Sequence, residues 1–348
     1  MIQRSSRELL QDVMKNREVE RVPCGFWHHF VLGRDQFIGL SEPGVLERAF
    51  AGHLAYYRRV ETDLVKIMSE GFFGYPPIME NALTTASDLD RIRPVGRNHP
   101  WITRQAAHVR RIADQFRDEK MCFYNMFSPL QVIRIKFDFL DLTRGKFVTI
   151  AERYPEAFRS AGLRIMEDIL TLTELLLTES GIDGLYFCVQ NIQSDFYGDE
   201  TYHEIVAPSE LPVLKLANRL TPTNILHICG YDRHVNRFST YRDYSAKIYN
   251  WAVHTEKIGL QAGKAAFGGA CVLGGFDNNP GTLIDTGTPE MLRAYTKRLI
   301  EENGYSGYIV GADCSIPNDI NDGQVRVIRD ACHEFTNPDF AEQREERL

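Results

Sequence analysis

Residues 156–189 read EAFRSAGLRIMEDILTLTELLLTESGIDGLYFCV, and two different hydrophobic patterns follow each other in them. Its first part carries apolar residues at intervals of three and four, which predicts an amphipathic helix over residues 154–179 that ends near Gly181. The second part, GLYFCV from Gly184, is a short apolar run that is typical of a buried β-strand. A helix followed closely by a buried strand is the repeating unit of an α/β protein with a parallel sheet.

The same alternation repeats along the whole chain. Eight apolar, β-rich runs are predicted as strands, and they begin at Val22, Asp63, Cys122, Gly184, Asn224, Ile248, Cys271 and Gly307. Further helices are predicted over residues 43–60, 104–117, 208–220, 289–303 and 322–334. Eight strands that alternate with helices close a (β/α)8 barrel, so we predict an α/β fold made of a single TIM barrel.

Three segments lie outside the barrel pattern. Residues 1–16, MIQRSSRELLQDVMKN, are amphipathic and charged, and they predict an N-terminal helix. The stretch 72–100 contains four prolines and fits no single helix, which predicts an elaborated loop after the second strand. Residues 337–348 predict a polar C-terminal tail, so that residues 1–348 form one predicted domain.

The composition is that of a globular protein, with 43% hydrophobic and 25% charged residues. A net charge of -7 disfavours general attraction to nucleic acid or to an anionic membrane, so small molecules or proteins are the expected partners. Seven cysteines scattered over 348 residues do not match a dense disulfide scaffold. Because no apolar stretch suits a signal peptide or a membrane span, we expect a cytoplasmic protein with reduced thiols.

Candidate metal ligands lie where the fifth predicted strand ends, in ILHICGYDRH, residues 225–234. Side chains two residues apart on a strand point to the same face, so His227 and Cys229 share one space. Cys314, in GADCSIPNDI, follows the eighth strand and falls at the same mouth of the barrel, where active sites of this fold lie. One imidazole and two thiolates form a ligand set that is typical of catalytic zinc with one open position.

The three residues alone leave alternatives open. A single cysteine is more often a small buried hydrophobic residue than a metal ligand, so a structural role without a metal stays open. If zinc binds, its open position suits an incoming thiol, which becomes a nucleophile at neutral pH. Hydrolysis by zinc-bound water is also allowed by the same ligands.

Further polar side chains on or after the predicted strands are expected at the same mouth. His28 and His29, after the first strand, suit a fourth zinc contact, proton transfer or a contact to substrate. Together with Glu70 they are the catalytic candidates. The substrate-binding candidates are Gln190, Asp195, Asn250, His254, Asp277 and Asn278. For each of them an ordinary structural role is the alternative.

Four motifs resemble the uroporphyrinogen decarboxylase superfamily in order and spacing, over nearly the whole chain. They are RVPCGFW near the N-terminus, NW in the sixth strand, LGGFDNNPG at the seventh and GADCSIPNDI at the eighth. Within this superfamily, the pattern of His227, Cys229 and a later Cys314 is similar to the zinc-dependent methylcobamide:thiol methyltransferases of the coenzyme M type. This resemblance implies that the three residues are zinc ligands. It also implies methyl transfer from a corrinoid, usually presented by a separate protein, to a zinc-bound thiolate.

The chain departs from the decarboxylase branch at several positions. Decarboxylases follow RVPVWFMRQAGR, whose arginines bind the carboxylates of the substrate through charge-assisted hydrogen bonds. Here RVPCGFWHHFVLGR places His28 and His29 near the first arginine position, so the clamp is lost or displaced to Arg34. Cys314 stands where the decarboxylases have a histidine, and Asn250 replaces their acidic residue before the tryptophan of the sixth strand. The GCG of the methyltransferases is DCS in this chain.

We therefore expect a zinc-dependent methyltransferase that moves a methyl group between a corrinoid and a small-molecule thiol. The resemblance implies a corrinoid protein as a partner and, together with the general frequency of two-fold assemblies, a homodimer. Two alternatives stay open. One is a decarboxylase-like lyase that acts on a porphyrinogen or a smaller carboxylate, and the other is a non-catalytic protein that binds zinc or a tetrapyrrole.

Overall fold

The computed structural model describes residues 4–340 and shows an eight-stranded parallel barrel surrounded by helices. Its strands are β1 Cys24–Gly25, β2 Leu64–Ile67, β3 Met121–Phe127, β4 Gly184–Val189, β5 Ile225–Ile228, β6 Ile248–Trp251, β7 Cys271–Phe276 and β8 Tyr308–Ala312. They lie in the order β1-β8-β7-β6-β5-β4-β3-β2, and all neighbouring pairs are parallel. The backbone N–H of Asp63 donates a 2.9 Å hydrogen bond to Cys24 O, which links β2 back to β1 and nearly closes the barrel.

The helices cover the outside of the barrel. Their bounds are α1 Ser6–Val13, α2 Pro43–Val60, α3 Pro76–Met79, α4 Ala86–Asp90, α5 Pro100–Ala113, α6 Pro129–Ile135, α7 Lys146–Arg153, α8 Pro155–Glu179, α9 Asp199–Ile205, α10 Ala207–Leu220, α11 Val253–Glu256, α12 Leu260–Ala266, α13 Leu283–Thr286, α14 Pro289–Asn303 and α15 Asp322–Glu334. Four of the long helices, α2, α5, α8 and α14, begin with a proline. A proline at the first helical position has its φ already fixed and lacks an N–H that would have no partner there.

The inside of the barrel is filled by alternate strand residues. Leu64 of β2, Tyr186 of β4 and Leu273 of β7 belong to this interior cluster. Val65 and Ile67 face the helices instead, because successive side chains of a strand point to opposite faces. The buried apolar residues of α1 join the interior cluster and close the amino-terminal end of the barrel. The opposite, carboxyl-terminal end therefore remains for a site.

The predicted (β/α)8 fold is confirmed. Each predicted strand begins within two residues of a strand in the structure, and α2, α14 and α15 have the predicted bounds. The elaborated loop after β2 contains the short helices α3 and α4. The helix predicted over residues 104–117 lies four residues earlier in the structure, where α5 begins at Pro100 and ends at Ala113.

The sequence pattern assigns no element to residues 128–153, but the structure places α6, a π-helical turn Lys136–Leu140 and α7 there. All seven residues of α6 are buried. A short helix that is buried all round lacks the polar face by which a surface helix is recognised in a sequence. This insertion after β3 matters for function because α6 forms part of the cavity described below.

The predicted polar tail is described only in part. Asn337 is buried, and its Nδ2 donates to Glu18 Oε2 at 3.1 Å and to Val19 O at 3.2 Å. Residues 341–348 lie outside the described part of the chain. Between residues 4 and 340, no helix is both long enough and apolar enough to cross a membrane.

Candidate functional site

A cavity of about 520 Å³ opens at the carboxyl-terminal end of the barrel. Its lining includes residues from, or just after, each of the eight strands. The apolar part of the lining is formed mainly by Met68, Phe73, Phe127, Ile135 and Phe139. This is the end at which TIM-barrel enzymes place their active sites, so the cavity is the candidate site of this chain.

The three predicted metal ligands converge at this cavity. His227 lies on β5, Cys229 directly follows β5, and Cys314 lies two residues after β8. Their ligand atoms all lie within 4.8 Å of one another, and Cys314 Sγ is 3.4 Å from His227 Nε2. Ligands of one tetrahedral zinc ion lie roughly 3.5 Å apart, so the set fits a single ion with small adjustments. Within residues 4–340, no other three His, Cys, Asp or Glu side chains converge in this way.

Strand pairing explains why these side chains meet. His227 pairs in register with Cys188 of β4 and with Asn250 of β6. The backbone N–H of Cys229 donates to Val189 O at 2.8 Å, which extends the β4–β5 ladder by one residue. Backbone hydrogen bonds thus hold the first two donor atoms in place, and the barrel brings the end of β8 to the same mouth.

Asn250 fixes the orientation of the His227 ring. Its Nδ2 donates to Leu273 O at 2.8 Å and to Ala312 O at 3.1 Å, which determines which side of the amide carries the oxygen. Its Oδ1 accepts hydrogen bonds from His227 Nδ1 at 2.6 Å and from the Tyr186 hydroxyl at 2.5 Å. With the proton on Nδ1, Nε2 is free to act as a metal ligand. Asn250, predicted to contact substrate, is fully buried and lies behind the cavity wall.

The two thiols of the site influence each other. The pKa of Cys314 lies well below its ordinary value. The main cause is a hydrogen bond from Cys229, the nearby His227 and Lys66 lower the pKa further, and burial opposes these effects. The same hydrogen bond, together with burial, raises the pKa of Cys229. One thiolate therefore forms readily, whereas a second negative charge in this space calls for a cation.

His29 lines the cavity, and Glu70 lies behind it. Glu70 is fully buried, and its Oε1 accepts a hydrogen bond from Phe30 N at 2.8 Å. His29 Nδ1 lies 3.0 Å from the same oxygen. Gln36 Nε2 lies 3.2 Å from His29 Nδ1, farther than the Glu70 oxygen. With the carboxylate as acceptor, His29 donates through Nδ1, and its Nε2 has no hydrogen-bond partner among residues 4–340. Two of the three predicted catalytic residues therefore form a His–Glu pair.

His28, the third catalytic candidate, does not line the cavity. Its ring packs against Tyr56 at 4.6 Å and against Phe30 at 4.8 Å, measured between ring centroids. Its Nδ1 lies 2.8 Å from His29 O, and burial lowers its pKa. The side chains of neighbouring loop residues need not point in the same direction, and here only His29 points into the cavity.

Two of the predicted substrate-binding residues line the cavity, Gln190 after β4 and Asn278 after β7. Gln190 Nε2 donates to Tyr231 O at 2.9 Å, and Asn278 Nδ2 donates to Ser315 O at 3.0 Å. Both amides therefore tie neighbouring loops together at the mouth.

Asp277, His254 and Asp195 do not line the cavity. Asp277 Oδ1 accepts from Asn279 N at 3.0 Å, so this carboxylate stabilises the turn after β7. His254 Nδ1 lies 3.0 Å from Asp313 Oδ2, and this hydrogen bond raises the pKa of His254. Asp195 is exposed in the loop after β4, which places its side chain in solvent.

Two buried cations of the lining, Lys66 and Arg134, are not among the residues predicted from the sequence, and they are 2% and 3% exposed. Arg134 donates to Gln190 Oε1, to Gln193 Oε1 and to Asn191 O. A lysine inside the apolar strand DLVKIM is a signal that the sequence contains, because a buried charge needs a compensating reason. Arg134 gave no such signal, because it lies on the unpredicted helix α6.

Comparisons with known proteins agree with this architecture. The sequence profile of the family "Uroporphyrinogen decarboxylase (URO-D)" matches residues 68–335. A search of curated proteins gives no match. The fold is similar to a methyltransferase from Methanosarcina mazei, with 18% identity, a TM-score of 0.64, and 96% of this chain and 99% of that chain covered. It is also similar to a B12-independent methionine synthase from Shewanella sp. W3-18-1, with 11% identity, a TM-score of 0.55, and 94% and 100% covered.

Proposed function

The chain belongs to the uroporphyrinogen decarboxylase (URO-D) family, an enzyme family, and from this premise we propose that it is a zinc-dependent methyltransferase that moves a methyl group between a corrinoid and a thiol. One observation carries the proposal. The donor atoms of His227, Cys229 and Cys314 lie within 4.8 Å of one another, at the edge of a cavity large enough for a substrate. Two sulfurs and one imidazole nitrogen suit zinc and leave a fourth position for a thiol.

Each residue of the triad has a distinct task in this proposal. His227 offers Nε2, because Asn250 holds its Nδ1 proton. Cys314 is the thiol that ionises first, and Cys229 follows when a cation is present. A zinc ion bound here would supply a Lewis acid that favours the thiolate form of an incoming thiol.

The His29–Glu70 pair is the proposed proton acceptor. The thiol must lose its proton before its sulfur accepts a methyl group, and His29 lines the cavity in which the thiol would lie. Glu70 holds the opposite ring nitrogen at 3.0 Å and stabilises the positive charge that the imidazole gains. The pair therefore both orients the base and favours its protonation.

The rest of the cavity suits methyl transfer better than porphyrinogen decarboxylation. Phe73, Phe127 and Phe139 give it an apolar part that limits water near a reactive methyl group. Arg34, the candidate for a displaced decarboxylase clamp, is exposed and lies outside the lining. The methyl-bearing corrinoid, which we propose is carried by a separate protein, would approach from the open end of the barrel.

Metal analysis and a methyl-transfer assay test the proposal together. We expect about one zinc ion per chain in the purified protein, and its loss in Cys314→Ala. Cys271→Ala is the matched control, because Cys271 is a buried thiol at the start of β7 and lies outside the cavity lining. The methyltransferase proposal fails if zinc is absent and Cys314→Ala changes nothing.

The activity assay separates the remaining alternatives. Demethylation of methylcobalamin by an added thiol, followed by absorbance, is the expected result. Zinc binding without demethylation by any thiol offered would favour a carrier of zinc or a tetrapyrrole. Loss of carboxylates from a porphyrinogen incubated with the protein would favour the lyase.

A further inference from the structure

Glu210 is a buried carboxylate in the helical layer around the barrel, outside the cavity described above. It lies on the first turn of α10. Its Oε2 accepts hydrogen bonds from the Tyr202 hydroxyl at 2.9 Å and from the Tyr244 hydroxyl at 2.6 Å. Its Oε1 has no hydrogen-bond partner among residues 4–340. Because a buried oxygen normally has a partner, the second half of this carboxylate calls for one.

Two buried hydroxyl oxygens near Glu210 also have no hydrogen-bond partner among the described residues. They belong to Ser128, which directly precedes α6, and to Tyr241, which ends the 3-10 turn Phe238–Tyr241. Burial raises the pKa of Glu210 to about 7, and the Ser128 hydroxyl is the first of the groups that oppose this rise. The Tyr241 ring packs against the two tyrosines that donate to Glu210, with centroids 5.9 and 5.3 Å apart. Oxygens from three separate segments therefore come together in one buried place.

No cationic side chain in the described part of the chain contacts Glu210. The nearest charged influence is His203, which acts on the carboxylate only at longer range and whose Nδ1 lies 2.8 Å from Asp199 O. Arg134 of α6 donates instead to three oxygens of the loop after β4. A buried carboxylate without a cationic neighbour either keeps a proton or binds a cation from outside the chain.

The charge and the chemistry of these oxygens suit a monovalent cation. One carboxylate supplies a single negative charge, and the hydroxyl oxygens around it are neutral. Na⁺ or K⁺ balances this charge one to one, whereas a divalent ion would leave an unbalanced positive charge in a buried place. Zinc is disfavoured as well, because it prefers nitrogen and sulfur ligands to an oxygen set of this kind.

We propose that Glu210 Oε1 and the hydroxyls of Ser128 and Tyr241 form a binding site for one Na⁺ or K⁺ ion, which joins α10 to α6 and to the loop after β5. The backbone of Ser128 is already fixed, because its N–H donates to Cys188 O at 3.0 Å. Residues of α6 and of the loop after β5 line the cavity, so the ion supports the cavity wall from outside. The site is separate from the metal ligands at the mouth, and it does not depend on the proposed function.

Thermal unfolding of the purified full-length chain tests the proposal. Sodium, potassium and choline chloride are compared at equal ionic strength, at a pH above the pKa of Glu210. Without Na⁺ or K⁺, stability falls as Glu210 loses its proton, and a bound ion opposes that fall. We expect the unfolding midpoint to be about 2 to 4 °C higher in at least one alkali chloride than in choline chloride, and the gain to saturate as the salt concentration rises.

Three variants identify the ligands. Glu210→Gln resembles the protonated carboxyl, so we expect it to fold and to unfold at the same midpoint in all three salts. Tyr241→Phe removes one ligand oxygen and should raise the half-saturating salt concentration roughly 10-fold. Glu256→Gln is the matched control, because Glu256 is also buried but both of its oxygens accept from Asn236, at 2.8 and 2.6 Å. This control should keep the full difference between the alkali salts and choline chloride.

Anomalous scattering from crystals soaked in thallium(I), a heavy monovalent cation that substitutes for K⁺, gives the position of the ion directly. We expect a peak beside Glu210 Oε1 that is absent from Glu210→Gln. Equal midpoints in the three salts would overturn the proposal and show that Glu210 keeps a proton or binds water. An alkali effect that persists in Glu210→Gln would also overturn it. Neither measurement involves zinc or methyl transfer, so the result stands whether or not the proposed function holds.

Discussion

Replacement of Asn250 by alanine should weaken zinc binding and destabilise the barrel at the same time. The fully buried Asn250 makes four hydrogen bonds, two through Oδ1 and two through Nδ2. At roughly 1 kcal/mol for each bond, its loss lowers the free energy of unfolding by about 4 kcal/mol. Removal of the group that orients a histidine ligand typically costs about 10- to 100-fold in metal affinity, which is the weakening that we expect for zinc at His227.

Two further variants separate these effects. Asn224→Ala also removes a fully buried asparagine, whose Oδ1 accepts from Leu185 N at 2.9 Å, but at the other end of β5. It should lower stability and leave zinc affinity unchanged. Asn250→Asp keeps an acceptor for His227 Nδ1, but it places a carboxylate oxygen against two carbonyl acceptors, Leu273 O and Ala312 O. This variant should therefore lose more free energy of unfolding than free energy of zinc binding.

Urea unfolding measures the stability of these variants, and competition with a coloured chelator measures their zinc affinity. The reasoning is refuted if Asn250→Ala binds zinc as tightly as the unaltered protein. It is also refuted if Asn224→Ala weakens zinc binding as much as Asn250→Ala does, because the effect would then be a general result of lost stability.

Three other changes have expected outcomes. His29→Gln should slow methyl transfer by about 10²- to 10⁴-fold without changing the zinc content. Initial rates and metal analysis measure these two effects, and an unchanged rate would exclude His29 as the base. Burial raises the pKa of Glu210 to about 7, so the folded chain retains a proton that the unfolded chain loses, and stability falls as the pH rises from about 4.5 to 7. Glu210→Gln should remove this fall, so that its free energy of unfolding rises by up to about 3 kcal/mol at pH 7 relative to that of the unaltered protein. Urea unfolding that shows the same pH dependence in the variant and in the unaltered protein would contradict this expectation. Gly263→Ala should lower stability by roughly 1 to 3 kcal/mol, because the new Cβ would collide with the Trp251 ring, and an unchanged thermal unfolding midpoint would argue against that packing.

The fold could be predicted because its signals are local and repeated. A buried strand is predicted by each short apolar run, such as GLYFCV from Gly184 and NILHIC from Asn224. Eight such runs predict the barrel. The buried helix α6 could not be predicted in this way, because a segment without a polar face shows no helical periodicity. Arg134 lies on this helix, so its place in the cavity wall could not be predicted either.

In the candidate site, the sequence predicts only those residues whose positions depend on where the strands end. The barrel brings the ends of β5 and β8 together, so the meeting of His227, Cys229 and Cys314 follows from the fold. The role of Asn250 depends on the register of β5 against β6, which no short motif specifies. Whether His28 or His29 faces the cavity depends on side-chain direction in a loop, which packing against Tyr56 decides.

The central claim is that His227, Cys229 and Cys314 hold one zinc ion with a position open to a thiol. X-ray absorption at the zinc K-edge tests it most directly, on the purified protein before and after addition of mercaptopropionate. We expect two sulfurs at about 2.3 Å and one imidazole nitrogen at about 2.0 to 2.1 Å, with a third sulfur after the thiol is added. A protein without zinc, zinc bound without sulfur, or an unchanged number of sulfurs in the presence of the thiol would contradict it.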